Sequence, residues 1–221
     1  MGVRIRTADQ HDHETVTWLL DRAFDDDPVS VWLFPQAGHR RTTHPRLMAA
    51  FVDMVLARGR IDITEDGTAC ALWLSVPAGK GEGGEEAADD PAQLRAALDP
   101  DNERMELVGR LTSEAHPEGR AHEYLWLIAV APECQGEGLG TELLRSVLDR
   151  CDHDGVPAYL EASNVRSRTL YERLGFVFGG RTVDLPDGPP MWPMWREPRI
   201  PARGPSAPVR SAGAGPGLAL P

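Results

Sequence analysis

The sequence is short of cysteine, of basic charge and of long apolar runs, and each shortage excludes a class of protein. Its three cysteines, Cys70, Cys134 and Cys151, form no Cys-x-x-Cys pair. Neither a disulfide frame nor a zinc cluster is therefore expected, and Cys134 reads as a small apolar filler. The seven histidines show no metal-ligand spacing, so no metal is expected. Lysine and arginine number 23 against 34 acidic residues, a formal net charge of −11. Nucleic acid, which needs a basic surface, is excluded as the main partner. An anionic ligand must be held locally, whereas a cationic substrate is steered inward. No apolar stretch approaches the ~20 residues of a membrane helix, so no membrane partner is expected. Met1–Arg6 has no apolar segment behind its charges, and Arg6 stands where a myristoylation motif needs Ser or Thr. A cytoplasmic location follows as the expectation.

What is present is enough for one core with appendages: 221 residues, 41% hydrophobic and 26% charged. Val3–Thr7 alternates as a first strand, and Val16, Leu19, Leu20 and Phe24 mark a helix that Asp25-Asp26-Asp27-Pro28 closes. A second helix is predicted from Arg41 to Arg58, stopped by Gly59. Ile61–Ile63 and Ala69–Leu74 form a hairpin around Glu65–Thr68. The Gly-rich stretch Pro77–Glu86 reads as a mobile loop, followed by helices at Pro91–Leu98 and Glu103–Glu114. Tyr124–Val130 is an unbroken apolar strand, followed by a helix at Thr141–Asp152, a strand at Ala158–Glu161 and a helix at Asn164–Leu174. Phe176–Phe178 and Met191–Trp195 end the pattern, the latter as an edge strand because of Pro193. Pairing through that apolar strand would make a homodimer. The domain is expected to span residues 1–197, with a disordered Pro- and Gly-rich tail at 198–221. This order specifies an α/β fold with helices on both faces of a mixed sheet.

The chemistry concentrates in Gln135-Gly136-Glu137-Gly138-Leu139-Gly140-Thr141, between the apolar strand and its helix. Alternate glycines let a bulky anion approach the main chain, where backbone N–H groups and the helix dipole hold it without lysine. No Gly-Lys-Ser/Thr follows, and the glycine spacing is not that of a dinucleotide loop, so nucleotide hydrolysis and dinucleotide binding are set aside.

Read with Asn164 and the later Tyr171-Glu172-Arg173-Leu174-Gly175-Phe176, the pattern Gln135-x-x-Gly138-x-Gly140 resembles the GCN5-related N-acetyltransferase family. The resemblance implies a splayed, mixed sheet of six to seven strands and acetyl-CoA as co-substrate. The pyrophosphate would rest on Gln135, Gly136, Glu137, Gly138, Leu139, Gly140 and Thr141. The pantetheine arm would bond the strand edge at Ile128, Ala129 and Val130, and Asn164 would assist. Tyr171 would lie near the thioester sulfur, where a phenol of pKa near ~10 can protonate the departing thiolate.

Further stretches, Ala23–Pro28, Ala71–Pro77, Gly155–Glu161 and Pro186–Trp192, are similar to the antibiotic-modifying members of the puromycin N-acetyltransferase type. They imply acetylation of a small-molecule primary amine by direct attack in a ternary complex. A protein or peptide acceptor, or a non-catalytic acyl-CoA-binding domain, is the alternative. Glu161, at the end of its strand, is the first candidate for general base, since Trp126 and Leu127 stand where many relatives carry a carboxylate. Phe24, Asp27, Trp32 and Trp73 are the candidates for acceptor binding, because aromatics beside carboxylates suit an amine.

Overall fold

The computed structural model describes residues 3–79 and 91–199. Most of the expected Gly-rich loop, and the expected tail from residue 200 onward, lie outside those residues. Strand β1 (Ile5–Thr7) pairs antiparallel with β2 (Arg60–Thr64), which turns into β3 (Ala69–Val76). The turn closes because the Thr64 hydroxyl accepts the N–H groups of Thr68 and Ala69. Between β1 and β2 run α1 (His13–Phe24), α2 (Pro28–Leu33) and α3 (Ala37–Arg58). The three aspartates after Phe24 do more than end a helix: Asp27 starts α2 by accepting the Val29 N–H at 3.0 Å, with Pro28 in the first turn. Helix α3 begins at Ala37, ahead of the expected Arg41, and runs through Pro45. Gly59 follows it because a Cβ there would meet the Trp73 carbonyl oxygen at 2.3 Å.

The insert contributes α4 (Pro91–Leu98) and α5 (Glu103–Ala115), then come β4 (His122–Val130), α6 (Leu139–Asp154), β5 (Ala158–Ala162) and α7 (Val165–Arg173). Strands β6 (Val177–Phe178), β7 (Val183–Asp184) and β8 (Pro190–Arg196) complete the chain. The sheet order is β1-β2-β3-β4-β5-β8-β6 with β7 also on β8. The eight strands exceed the expected six to seven by the two-residue pieces β6 and β7. One apolar core lies between the sheet and α1 to α5, and a second lies under α6 and α7, as the alternation of side chains on strands requires.

Two irregularities open the sheet. Leu72 faces Leu127 and Trp73 faces Leu125, so Trp126 is an extra residue in β4. This bulge turns both Trp126 and Leu127 toward the first core, where Trp126 packs on Phe51 at 4.6 Å. Beside it, β4 and β5 run parallel but pair only at Glu123–Ala158 and Tyr124–Tyr159. Past Tyr124 they diverge.

The assignment of Met191–Trp195 to an edge is overturned, since β8 lies between β5 and β6. Pro193 is tolerated there because its carbonyl accepts from Gly179 N–H on the β6 side. Its missing N–H faces that same side, where β6 has already ended at Phe178. A strand flanked on both sides has no free edge, so the expected pairing of two chains through it loses its basis. Arg196 then locks β8 to α6 with two bonds of 2.7 Å to Asp152, which hold that carboxylate below its ordinary pKa.

Candidate active site

Strand β4 ends in a short 3-10 turn, Pro132–Cys134, and the loop then rises into α6. Gly136 and Gly138 have φ of +93° and +90°, the left-handed region that other residues resist, and no atom lies within 4 Å of a Cβ at either. The loop is therefore a concave backbone surface with room above it, opening on the first-turn N–H groups of α6. Leu139 and Gly140 are buried and anchor it, and Thr141 stands in the first turn. Glu137 is exposed. Gly140 lies against α7, where a Cβ would stand 3.6 Å from Leu170. On the adjoining strand, Ile128, Ala129 and Val130 have no partner in β5, so their backbone lines the divergence. An anion on the loop with an extended chain along β4 fits these residues.

Asn164 caps α7 by accepting the Ser167 N–H at 2.9 Å, and its amide donates to Asp27 at 3.1 Å. Asp27 also accepts from the Ser163 hydroxyl at 2.7 Å. Both ends of the Asn164 amide are thus engaged within the protein, and Asp27 ties the start of α2 to the start of α7 across the opening. Tyr171, about two helical turns further along, is 5% exposed. Burial, with a contribution from Asp27, pushes its phenol well above the ordinary value, so it stays protonated at neutral pH.

Glu161 lies on β5 beside the divergence. Its Oε2 accepts the Tyr124 hydroxyl at 2.7 Å, while its buried Oε1 has no hydrogen-bond partner. Burial raises its pKa from about 4.5 to about 7, against the pull of the Tyr124 hydroxyl bonded to it. A carboxyl poised near neutrality, with one oxygen held and the other available, is suited to exchange a proton. Tyr124 remains a donor because burial, and then the Glu161 charge, raise its own pKa.

The aromatic acceptor candidates fare unevenly. Phe24 is half-buried against the first core. Trp73 is 1% exposed in the second core, under α6, which is the wrong side of the sheet for a residue lining the acceptor side with Glu161 and Tyr124. Its place there follows from strand alternation, and the sequence expectation is corrected. Trp32 is buried as well: its indole donates to the Pro186 carbonyl at 2.8 Å, and Arg104 stacks on it while bonding its carbonyl at 2.6 Å. It pins the wall of the site rather than offering a free face. Sequence reading missed Tyr124 and Ser163, whose roles depend on the β4–β5 pairing and the α2–α7 contact. Cys134 packs against both cores, and no cluster among the described residues could hold a metal.

Residues 71–176 match the family described as Acetyltransferase (GNAT) family. The solved structure described as histone acetyltransferase HPA2 and related acetyltransferase, from Corynebacterium glutamicum, superimposes with a TM-score of 0.68. It is 25% identical, covering 91% of this chain and 99% of that one. An uncharacterized N-acetyltransferase of Schizosaccharomyces pombe is 25% identical over 178 residues, 76% of this chain and 71% of its own. A mycothiol acetyltransferase of Brachybacterium faecium is 39% identical over 64 residues, 28% of this chain and only 19% of that protein. The chain carries a GNAT acetyltransferase domain in the fold of that family, and it is an acetyltransferase that uses acetyl-CoA.

Proposed function

We propose that this enzyme acetylates the primary amine of a cationic small molecule by direct transfer in a ternary complex. The observation that carries the reading is Glu161, a nearly buried carboxyl with one unpartnered oxygen where β4 and β5 part. Acetyl-CoA supplies the activated acetyl group, held by the loop Gln135–Thr141 and the edge of β4. Glu161 Oε1 takes a proton from the incoming ammonium, Tyr124 fixing the other oxygen, so the amine meets the acetyl carbon with its lone pair free. Backbone N–H groups of β4 polarise the acetyl carbonyl. As the tetrahedral intermediate collapses and the C–S bond breaks, Tyr171 gives a proton to the departing sulfur, and the proton shed by the new amide nitrogen restores the phenol. Holding both reactants in one cleft supplies the proximity term.

Two features support a small cationic acceptor. Asp27 and Glu161 receive only neutral donors from the described residues, which leaves negative charge for a cation to meet. The insert roofs the acceptor side: Arg104 and Asn102 bond the carbonyls of Trp32 and Leu33, and the Tyr159 hydroxyl bonds that of Ala115. The similarity of several stretches to antibiotic-modifying acetyltransferases extends the proposal to antibiotics with a primary amine. A panel of puromycin, aminoglycosides, simple amines and peptides with free N-termini, followed by thiol release from acetyl-CoA, tests it. Turnover of small amines is expected. Turnover confined to peptides, or none at all, would overturn it.

A further inference from the structure

The loop Gln135–Gly140 offers backbone N–H groups to an anion, but its side-chain surroundings are acidic. Glu137 is exposed on it, Glu133 is exposed in the turn before it, and Glu142 stands in the first turn of α6. Coenzyme A carries several phosphate charges, and the chain as a whole is net negative, so a cation beside the backbone N–H groups would offset the repulsion they alone must overcome. The single lysine of the sequence, Lys80, lies outside the described residues, so among those the long cationic side chains are arginines. The arginines placed around the loop on α1, α6 and α7 are mostly neutralised: Arg22 pairs with Glu133 at 3.1 Å, Arg145 with Glu142 at 3.2 Å and Arg168 with Glu172 at 2.9 Å. Arg166 differs. From the first turn of α7 it crosses the mouth of the cleft to donate to Gln135 Oε1 at 2.9 Å, a neutral acceptor, and it makes no ion pair among the described residues.

We infer that Arg166 is a phosphate-binding residue for coenzyme A, closing over the loop from the α7 side. A guanidinium hydrogen bond to an amide oxygen is weaker than the charge-assisted, forked contact it makes with phosphate. An anion seated at the loop therefore draws Arg166 from Gln135. The exchange also frees Gln135, whose amide donates at 3.3 Å to the carbonyl of Val130 on the pantetheine-facing strand. One long side chain thus spans the two motifs, loop and α7, that sequence reading joined only by family resemblance. The exposed position of Arg166 means that its replacement leaves both cores untouched.

Calorimetric Kd values for coenzyme A, 3′-dephospho-coenzyme A and pantetheine, with wild-type protein, Arg166→Gln and Arg166→Lys, test the assignment. Arg166→Gln is expected to weaken coenzyme A binding about tenfold or more, with partial recovery in Arg166→Lys, which keeps charge but not the fork. Pantetheine, without phosphate, should bind wild type and variant alike. An equal loss with dephospho-coenzyme A places Arg166 on the pyrophosphate, and a loss confined to coenzyme A places it on the 3′-phosphate; either supports the inference. Unchanged coenzyme A binding in Arg166→Gln, or the same loss for pantetheine, would overturn it while leaving the cofactor assignment standing. Failure of wild type to bind coenzyme A would overturn both.

Discussion

Replacing Glu161 by glutamine keeps the volume of the side chain and removes its charge and its ability to take a proton. Wild-type kcat/KM for a fixed amine should climb about tenfold per pH unit below the Glu161 pKa and bend near 7, the value to which burial raises it. The acceptor's own ionisation adds a separate limb at higher pH. Glu161→Gln should lose about 10²–10⁴-fold in rate and with it the bend near 7. Stability should move the other way. A carboxyl whose folded pKa is raised from about 4.5 to about 7 favours the fold below 4.5 and progressively loses that contribution as pH rises through 7. That difference corresponds to about 3 kcal/mol at pH 8, reduced by whatever the new amide loses where Oε1 has no partner. Thermal unfolding should show the variant more stable than wild type at pH 8, by about 1–3 kcal/mol, with no such advantage at pH 4. Thiol-release rates from pH 5.5 to 9, paired with melting curves, provide the readout. A bend near 7 that survives in Glu161→Gln would show that another group is the base.

Other substitutions separate the remaining roles. Tyr171→Phe should lower kcat about 10²-fold with the Kd for coenzyme A unchanged; an unaltered kcat would remove it from the chemistry. Gly138→Ala meets no steric clash but forces an alanine to φ near +90°. It should cost about 1–2 kcal/mol in denaturant unfolding and weaken coenzyme A binding in calorimetry, since the methyl stands above the cradle. Arg196→Ala removes both forked bonds to Asp152, which keeps only the Arg199 N–H at 2.6 Å; urea unfolding should register a loss of about 2–3 kcal/mol, without a shift in the pH–rate bend.

The sequence by itself determined the parts in which local chemistry and spacing decide. The glycines of Gln135–Gly140 permit the left-handed φ values that the loop adopts, and the apolar period sets α6 beside it. Asn164 precedes α7 and caps it, as a short polar side chain at that position does. The hairpin, the insert helices and the fold class followed from the same short-range rules. What pairing and packing decide was not legible. The edge assignment of Met191–Trp195 failed because one proline was weighed without its neighbours, and only the sheet order shows that its missing N–H faces a gap. Trp32 and Trp73 read as acceptor aromatics because type and position do not reveal which side of a sheet a ring takes or whether its indole is already bonded. Tyr124 and Arg166 stand 37 and 31 residues from the partners they bond. Those bonds exist because β4 and β5 run together for two pairs and then part, leaving α7 to face the loop across the opening. Sequence chemistry wrote the glycine loop; tertiary structure chose what stands opposite it, because contacts between distant segments depend on register and packing rather than on local preference.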